Sequence, residues 1–392
     1  MAALAPPVAA LRAAVRRALT GLTGDGPVLV ACSGGADSLA LAAATAFVAP
    51  RLGRRAGLVT VDHGLQAGSD RRAADVAAWA AATGFAPVEA VRVEVAGRPG
   101  GPEAAARQAR YQALAEAARR HGAAALLTGH TRDDQAETVL LALARGAGPR
   151  GLAGMPPRRD LAGVPLLRPL LDVGREQTRK ACAALGLTPW EDPHNTDPSY
   201  ARARVRAEAL PALVRALGPG VVDNLARTAR LVAADAAALD DLAAAALAGD
   251  AAPVPPSDAL GNLAALAGDE VIDGSGGDGG RDAVPVPPSD ALGRLVRPAS
   301  APLAGSGLPA GVRAHGGGLS VVALAGLAPA VRSRVLHAWA RELGASPAAL
   351  SHRHVVALDA LVTDWRGQGA AHLPGGIQVA RRAGRLVADD GR

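Results

Sequence analysis

Over its first two hundred residues the chain alternates short apolar runs with longer stretches of helical period, and that alternation narrows the folds open to it. Pro27–Ala31, Gly57–Val61, Val88–Val95 and Ala124–Thr128, with the weaker Val164–Leu167, read as strands. Asp37–Val48, Asp70–Thr83, Pro102–His121 and Asp133–Ala144, lying between them, read as helices. Strands that are apolar along their whole length are covered on both faces. Joined by crossover helices, they imply an α/β fold, a Rossmann-like parallel sheet with helices on both faces. Right-handed crossovers set the C-terminal strand ends along one edge, where such sheets bind ligands.

The first strand runs into Ser33-Gly34-Gly35-Ala36-Asp37-Ser38, and a helix begins at once. Two adjacent glycines let the backbone turn tightly and approach an anion with no Cβ in the way. The helix N-terminus then points amide groups and partial positive charge at phosphate oxygens, and Ser33 and Ser38 add hydroxyls. Asp37 is out of place beside phosphate unless a divalent cation joins it to the nucleotide, which implies Mg²⁺. An ordinary strand-to-helix turn with an acidic cap would account for Asp37 alone, but not for the six-residue pattern. No Gly-Lys-Ser/Thr follows, and G-x-G-x-x-G is absent, so neither common nucleotide fingerprint applies. The segment is similar to the S-G-G-x-D-S loop of the N-type ATP pyrophosphatases, the PP-loop superfamily. That resemblance implies that the loop holds the β- and γ-phosphates as leaving group while the α-phosphate is attacked, so that ATP gives AMP and pyrophosphate.

Two more segments fall at strand ends. The second strand closes on Asp62-His63-Gly64-Leu65, and the fourth on Gly129-His130-Thr131-Arg132-Asp133-Asp134-Gln135-Ala136-Glu137-Thr138. Asp133, Asp134 and Glu137 are spaced to share one helical face. Acids beside a phosphate loop repel ATP unless a cation intervenes, so this face reads as a seat for Mg²⁺ or a lysine ammonium. The plainer reading is a capped helix with solvated acids. Arg110 and Arg145 suit phosphate or substrate, with surface ion pairs as the ordinary alternative. Arg202, Arg204 and Arg206 put cations along one stretch, which reads as an RNA backbone contact or as a solvated helix.

Taken together, the loop, Asp62-His63-Gly64-Leu65, Glu103-x6-Arg110-Tyr111, the Gly129–Thr138 segment, Arg145-Gly146-Ala147-Gly148 and Trp190-Glu191-Asp192-Pro193-His194-Asn195 resemble the tRNA(Ile)-lysidine synthetases. The likeness spans residues 27–215 and resumes at Leu361–Leu386, with Trp365-x-Gly367 and Leu373-Pro374-Gly375-Gly376. It implies that ATP adenylates the C2 carbonyl oxygen of the wobble cytidine in the CAU anticodon of tRNA(Ile). L-lysine then displaces AMP to leave lysidine. It further implies Asp37, His130, Asp133, Asp134 and Glu137 as catalytic residues. Ser33, Gly34, Gly35, Ala36, Asp37, Ser38, Asp62 and His63 would bind ATP, and Asp37 and Asp134 the metal. Arg110, Arg145, Arg202, Arg204 and Arg206 would bind substrate. Gln66 and Ala203 depart from the family pattern, which has arginine and asparagine there.

The rival enzyme readings on the same loop are a tRNA thiolase or an amide-forming synthetase. The two cysteines, Cys32 and Cys182, are far apart and suit a thiolase poorly, and no glutaminase segment is visible. A basic RNA-binding protein with a vestigial loop is the rival from another class.

The chain has 392 residues and a net charge of +6, in keeping with a polyanionic partner and also with many ordinary basic proteins. Lys180 is its one lysine, so arginine carries the positive charge. Two isolated cysteines and no apolar run near 18 residues point to a reducing cytoplasm with no membrane partner. A homodimer is a possible assembly, and the sequence does not fix the oligomeric state. We expect a catalytic domain over 1–215, a helical segment over 216–250, a flexible Gly/Pro-rich linker over 251–305 and a small tRNA-binding domain over 306–392. The linker expectation rests on a duplicated octapeptide, Val254–Gly261 and Val286–Gly293, around a glycine-rich stretch.

Overall fold

A computed structural model describes residues 4–64, 68–94, 102–191, 197–249, 312–313, 318–347 and 349–389. Gln66 and the linker over 251–305 lie outside the described residues. The chain divides into two compact units, Met1–Ala236 and Ala237–Arg392.

The first unit is built on a six-stranded sheet of β1 (Val28–Ala31), β2 (Ala56–Asp62), β3 (Val88–Arg92), β4 (Ala125–Thr128), β5 (Arg158–Leu161) and β6 (Val164–Leu167), in the order β3-β2-β1-β4-β6-β5. All neighbours are parallel except the β5–β6 pair. The antiparallel edge strand β5 was not expected. Its sequence, Arg-Arg-Asp-Leu, lacks the apolar run of an interior strand, and its residues alternate between exposed and half-buried. What makes it a strand is the tight turn into β6 at Ala162 and Gly163, with φ of 52° and 88°, the mirror-image geometry that suits hairpins.

Helices cover both faces. On one face α1 (Pro6–Leu19), α2 (Ala36–Arg51) and α3 (Ser69–Ala82) pack with Val28, Val30 and Leu58, along with Ala181 and Cys182. On the other, α4 (Pro102–Arg120) lays Leu114, Ala117 and Ala118 on Leu29, Val59, Leu126 and Leu166. Neighbouring residues of β1 thus serve opposite cores, as the pleat requires. Leu29, Leu58 and Leu126 are fully buried. Truncating any one of them to alanine is worth about 2–5 kcal/mol of stability.

The strand order reverses about β1 and β4, and the segments leaving their C-terminal ends form the crevice typical of such switch points. From β1 comes the Ser33–Ser38 loop. From β4 comes Gly129–Thr131, leading into α5 (Arg132–Ala144) and α6 (Pro149–Leu152). The segment after β6 leads into α7 (Arg175–Ala184). A later helical run comprises α8 (Ala201–Arg204), a π-helical turn (Val205–Ala209) and α9 (Leu210–Leu217), of which α8 and the π-helical turn pack on α5.

α10 (Val221–Ala248) begins in the first unit and ends in the second. The second unit holds β7 (Leu319–Ser320), α11 (Val321–Ala325), α12 (Pro329–Glu342), α13 (His352–Thr363), β8 (Ala371–His372), β9 (Gln378–Arg382) and β10 (Arg385–Asp389). Its sheet is antiparallel, ordered β7-β10-β9-β8, over a core around Trp339, Leu336, Leu358 and Leu386. Among the described residues no helix is long and apolar enough to cross a membrane.

Candidate active site

The loop after β1 is shaped before any ligand arrives. Gly34 holds φ of +84°, a conformation side chains resist. The Ser38 hydroxyl donates to the Gly35 carbonyl at 2.9 Å and accepts from the Ser33 amide at 3.2 Å, closing the turn from inside. Trp190 donates its backbone N–H to the Gly34 carbonyl at 2.9 Å and supports the loop from outside. Gly35 caps α2 without a side chain, so the first-turn amides, those of Ala36, Asp37 and Ser38, are left for an anion.

Gly129 explains how closely the second segment approaches. A Cβ there would lie 3.0 Å from the carbonyl carbon and oxygen of Asp37 and 3.1 Å from Ser38 Cα, all backbone atoms. Gly129→Ala should therefore push the start of α2 out of place. We expect the KM for ATP to rise on the order of tenfold, as small misplacements near reacting groups do, checked by steady-state AMP release.

Asp37 lies at the head of α2, its side chain a quarter exposed. Its Oδ1 accepts from the Thr178 hydroxyl, and its Oδ2 stands 3.7 Å from Arg175 Nε, beyond hydrogen-bond reach. Burial pushes its carboxyl up to about 6, with nearby Asp134 and Asp133 adding to the rise and Thr178 and Arg175 opposing it. Asp134 behaves oppositely. Burial disfavours its charge, but Arg175, Thr131 and His130 outweigh that and hold the carboxyl below the ordinary range. Its Oδ2 accepts from the Thr131 amide and hydroxyl at 2.8 and 2.9 Å, completing a capping box at the start of α5, and its Oδ1 accepts from Arg175 at 2.9 Å. Asp133 turns away to accept from the backbone N–H of Arg175 at 2.8 Å, and so fixes the start of α7.

Glu137 is fully buried, one turn further on. Arg206 grips both of its oxygens at 2.8 and 3.2 Å, Arg175 donates to it at 3.1 Å, and Arg202 Nε stands 3.6 Å away. Arg202 also donates to the Thr138 hydroxyl at 3.0 Å. The acidic face that the spacing suggested thus exists, and arginines of the chain itself face it. Arg175 is the centre of this network, touching Asp134 and Glu137 and standing near Asp37. Neither Arg175 nor Thr178 was picked out from the sequence. A signal was there: Gly174-Arg175 opens a helix after the fifth apolar run, and a parallel β6 brings that helix start to the same sheet edge.

His130 Nδ1 lies 3.0 Å from the Thr128 hydroxyl. Burial pushes its pKa down to about 3, against the pull of Asp134 and with help from Arg168, Arg110 and Arg107, so the ring is neutral near pH 7. Asp62 accepts from the Gly64 amide at 2.9 Å. Burial works against its charge, and hydrogen bonds from Ser69 and Gly64 overcome it, leaving the carboxyl below its usual range. His63 follows it at the end of β2. Arg110, on α4, feels the charge of Arg202 and so faces this region. Two predicted residues are not gathered in. Arg145 is exposed at the far end of α5, and Arg204 spends its guanidinium on the carbonyls of Pro198 and Ser199.

The PP-loop domain family matches residues 11–213, and the TilS substrate binding domain matches residues 319–387. The chain is 67% identical over 390 residues to a protein of Salinispora tropica described as tRNA(Ile)-lysidine synthase, covering 100% of this chain and 98% of that one. The chain belongs to the tRNA(Ile)-lysidine synthase family. Lysidine synthases of Streptomyces coelicolor (50% identity, covering 93% of this chain and 85% of that one) and Thermobifida fusca (48%, 97% of each) are also similar. In this lysidine synthase family member the nucleotide loop, the α5 acids and the α7 arginine therefore meet within the matched PP-loop domain, which supports ATP use.

Proposed function

We propose that the chain ligates L-lysine to C2 of the wobble cytidine in the CAU anticodon of tRNA(Ile), with ATP cleaved to AMP and pyrophosphate. The observation that carries this reading is family membership over the full chain, joined to a preformed phosphate loop that shares its crevice with Asp37 and Arg175. In this reading the α2 amides, Ser33 and Ser38 bind the departing pyrophosphate. The cytidine O2 bonds to the α-phosphorus as pyrophosphate leaves, and the lysine amine then bonds to C2 as AMP leaves. Asp134 and Glu137, held in place by Arg175, Arg202 and Arg206, line the wall on which the cytidine and the amine are set. His130, kept neutral, offers an uncharged hydrogen-bond partner there. The buried thiols fit a thiolase badly: burial pushes Cys32 up, and Cys182 up to about 11.

The residues fit a magnesium ion at Asp37. Among the described residues its Oδ2 accepts no hydrogen bond, its charge is under-compensated, and no group of three or more His, Cys, Asp or Glu could hold a metal alone. Mg²⁺ commonly takes one or two carboxylates and completes its shell with phosphate oxygens and water, neutralising phosphate charge as it does so. Asp134, by contrast, would have to give up Arg175. Because the cation needs the ionised Asp37, apparent Mg²⁺ affinity should fall as pH drops through about 6 and about tenfold per unit below it. Titrating Mg²⁺ against AMP release at several pH values checks this, and a flat profile between pH 5 and 7 would remove Asp37 from the metal site.

The reaction type is tested by incubating the protein with ATP, Mg²⁺, lysine and the CAU-anticodon tRNA(Ile) transcript. AMP and pyrophosphate are expected; ADP and phosphate would contradict the proposal. The same reading puts the enzyme in the cytoplasm, where its tRNA and lysine are found.

A further inference from the structure

On the sheet face opposite the nucleotide loop's helix, a second charged cluster surrounds Tyr111 of α4. The guanidinium carbons of Arg107, Arg110 and Arg159 lie 5.0, 5.7 and 4.6 Å from the centre of its ring. Arg168, following β6, is 4% exposed and completes the group, donating to the Pro156 carbonyl at 2.6 Å. Among the described residues no carboxylate pairs with any of the four. The contrast with the rest of the molecule decides what this means. Arg332 and Arg334 are also under a tenth exposed, and they pair with Asp359 and Asp240 at 2.6 and 2.9 Å. Arg168 has the Pro156 carbonyl and the neighbouring Tyr111 hydroxyl, and no acid among the described residues. Among the described residues its Nε and the Nε of Arg159 are buried with no hydrogen-bond partner.

Cation–π contacts return about 0.5–2 kcal/mol each. Holding a guanidinium away from water without a counter-charge costs several kcal/mol, and the four cations also repel one another. Among the described residues the cluster is therefore under-satisfied by its own chain, and an anion would complete it. The Tyr111 phenol registers the same field: burial raises its pKa, yet Arg107, Arg110, Arg168 and Arg159 together bring it below the ordinary tyrosine value.

We infer that Arg107, Arg159 and Arg168, braced on Tyr111, form a seat for a backbone phosphate of the polynucleotide substrate, next to the nucleotide being modified. The inference rests on the proposed tRNA reading for the identity of that polynucleotide. Position supports a nucleic-acid phosphate over those of ATP. The loop that suits ATP opens α2, which packs on the other sheet face, whereas this cluster sits with α4 and β5. The cluster nonetheless adjoins the reaction crevice, since Arg168, Arg110 and Arg107 act on His130, and Arg202 acts on Arg110. Arg159, on the edge hairpin, is half-buried and Arg107 is exposed, so both can be reached from solvent by a passing strand.

The test is tRNA binding by the full chain as a function of salt. Each phosphate contact contributes close to one unit to the slope of log K against log salt concentration. Arg107→Gln and Arg159→Gln should each lower that slope by about 1, and the double variant by about 2, with the KM for ATP unchanged. Arg107→Lys should keep most of the slope, because a point charge serves a phosphate. Arg107 is exposed, so its variants test the seat even if Arg159→Gln impairs folding. Unaltered slopes in folded variants, or a raised KM for ATP with tRNA binding intact, would overturn the inference. If the unmodified enzyme transfers lysine while the slopes stay unaltered, the inference fails and the ligase reading stands. If slopes fall as expected but no lysine is transferred, the ligase reading fails and the phosphate seat stands.

Discussion

Asp37→Ala is expected to lower AMP formation by about 10²–10³-fold or more while leaving tRNA binding largely as it was. On the proposed reading the loss follows from removing the carboxylate that would join a cation to the phosphates, and electrostatic groups at reacting centres are worth that much. The variant should not be less stable than the parent near neutral pH. The folded-state carboxyl is raised to about 6, above its ordinary value of 3.8, so its ionisation opposes folding. The sign is that of a raised acid: the parent loses stability as pH climbs from about 4 to about 6 and carries that penalty above it. Alanine has no charge to lose. Thermal unfolding of both proteins at pH 7, set beside AMP release, checks the pair of statements. Near-normal AMP formation by the variant would remove Asp37 from the chemistry.

Glu137→Ala should fail in a different way. Glu137 is fully buried and receives Arg206 on both oxygens and Arg175 on one. Removing it leaves two guanidinium groups facing each other in a poorly solvated crevice. Breaking a buried pair from one side costs about 3–5 kcal/mol. For a unit of this size that corresponds to a fall in Tm of roughly 6–20 °C, alongside loss of activity. Glu137→Gln keeps the volume and an acceptor oxygen and should fall between the two. A variant that unfolds at the parental temperature would show that the arginines do not depend on Glu137. Together the variants separate two kinds of site carboxylate, one that the fold tolerates and one that it needs.

What was legible in the sequence follows the range of the forces involved. Strands β1 to β4 and their helices could be read because each is an uninterrupted apolar run or a helical pattern, both local signals. The Ser33–Ser38 loop was legible for the same reason, its glycines and hydroxyls being contiguous. Edge strand β5 was not, since Arg-Arg-Asp-Leu becomes a strand only by pairing with β6 through a tight turn. The site's charge balance was legible in half. Asp133, Asp134 and Glu137 announced a negative face, and a metal or a lysine ammonium seemed needed to offset it. The cations in place are Arg175, Arg202 and Arg206, whose contacts with Glu137 join residues 38 to 69 positions apart. No local spacing encodes those pairings. The arginines after Tyr200 drew attention as RNA contacts, yet Arg206 is committed to an acid, while the set around Tyr111, with no acid partner among the described residues, is scattered over α4, β5 and the segment after β6.

On the proposed reading, ATP is spent on joining lysine to one cytidine. The most direct measurement incubates the full chain with ATP, Mg²⁺, radiolabelled L-lysine and a tRNA(Ile) transcript bearing the CAU anticodon, beside a transcript with uridine at the wobble position. Label in the first transcript and none in the second is the predicted result. Folded enzyme that leaves the CAU transcript unlabelled, or labels both alike, would contradict it.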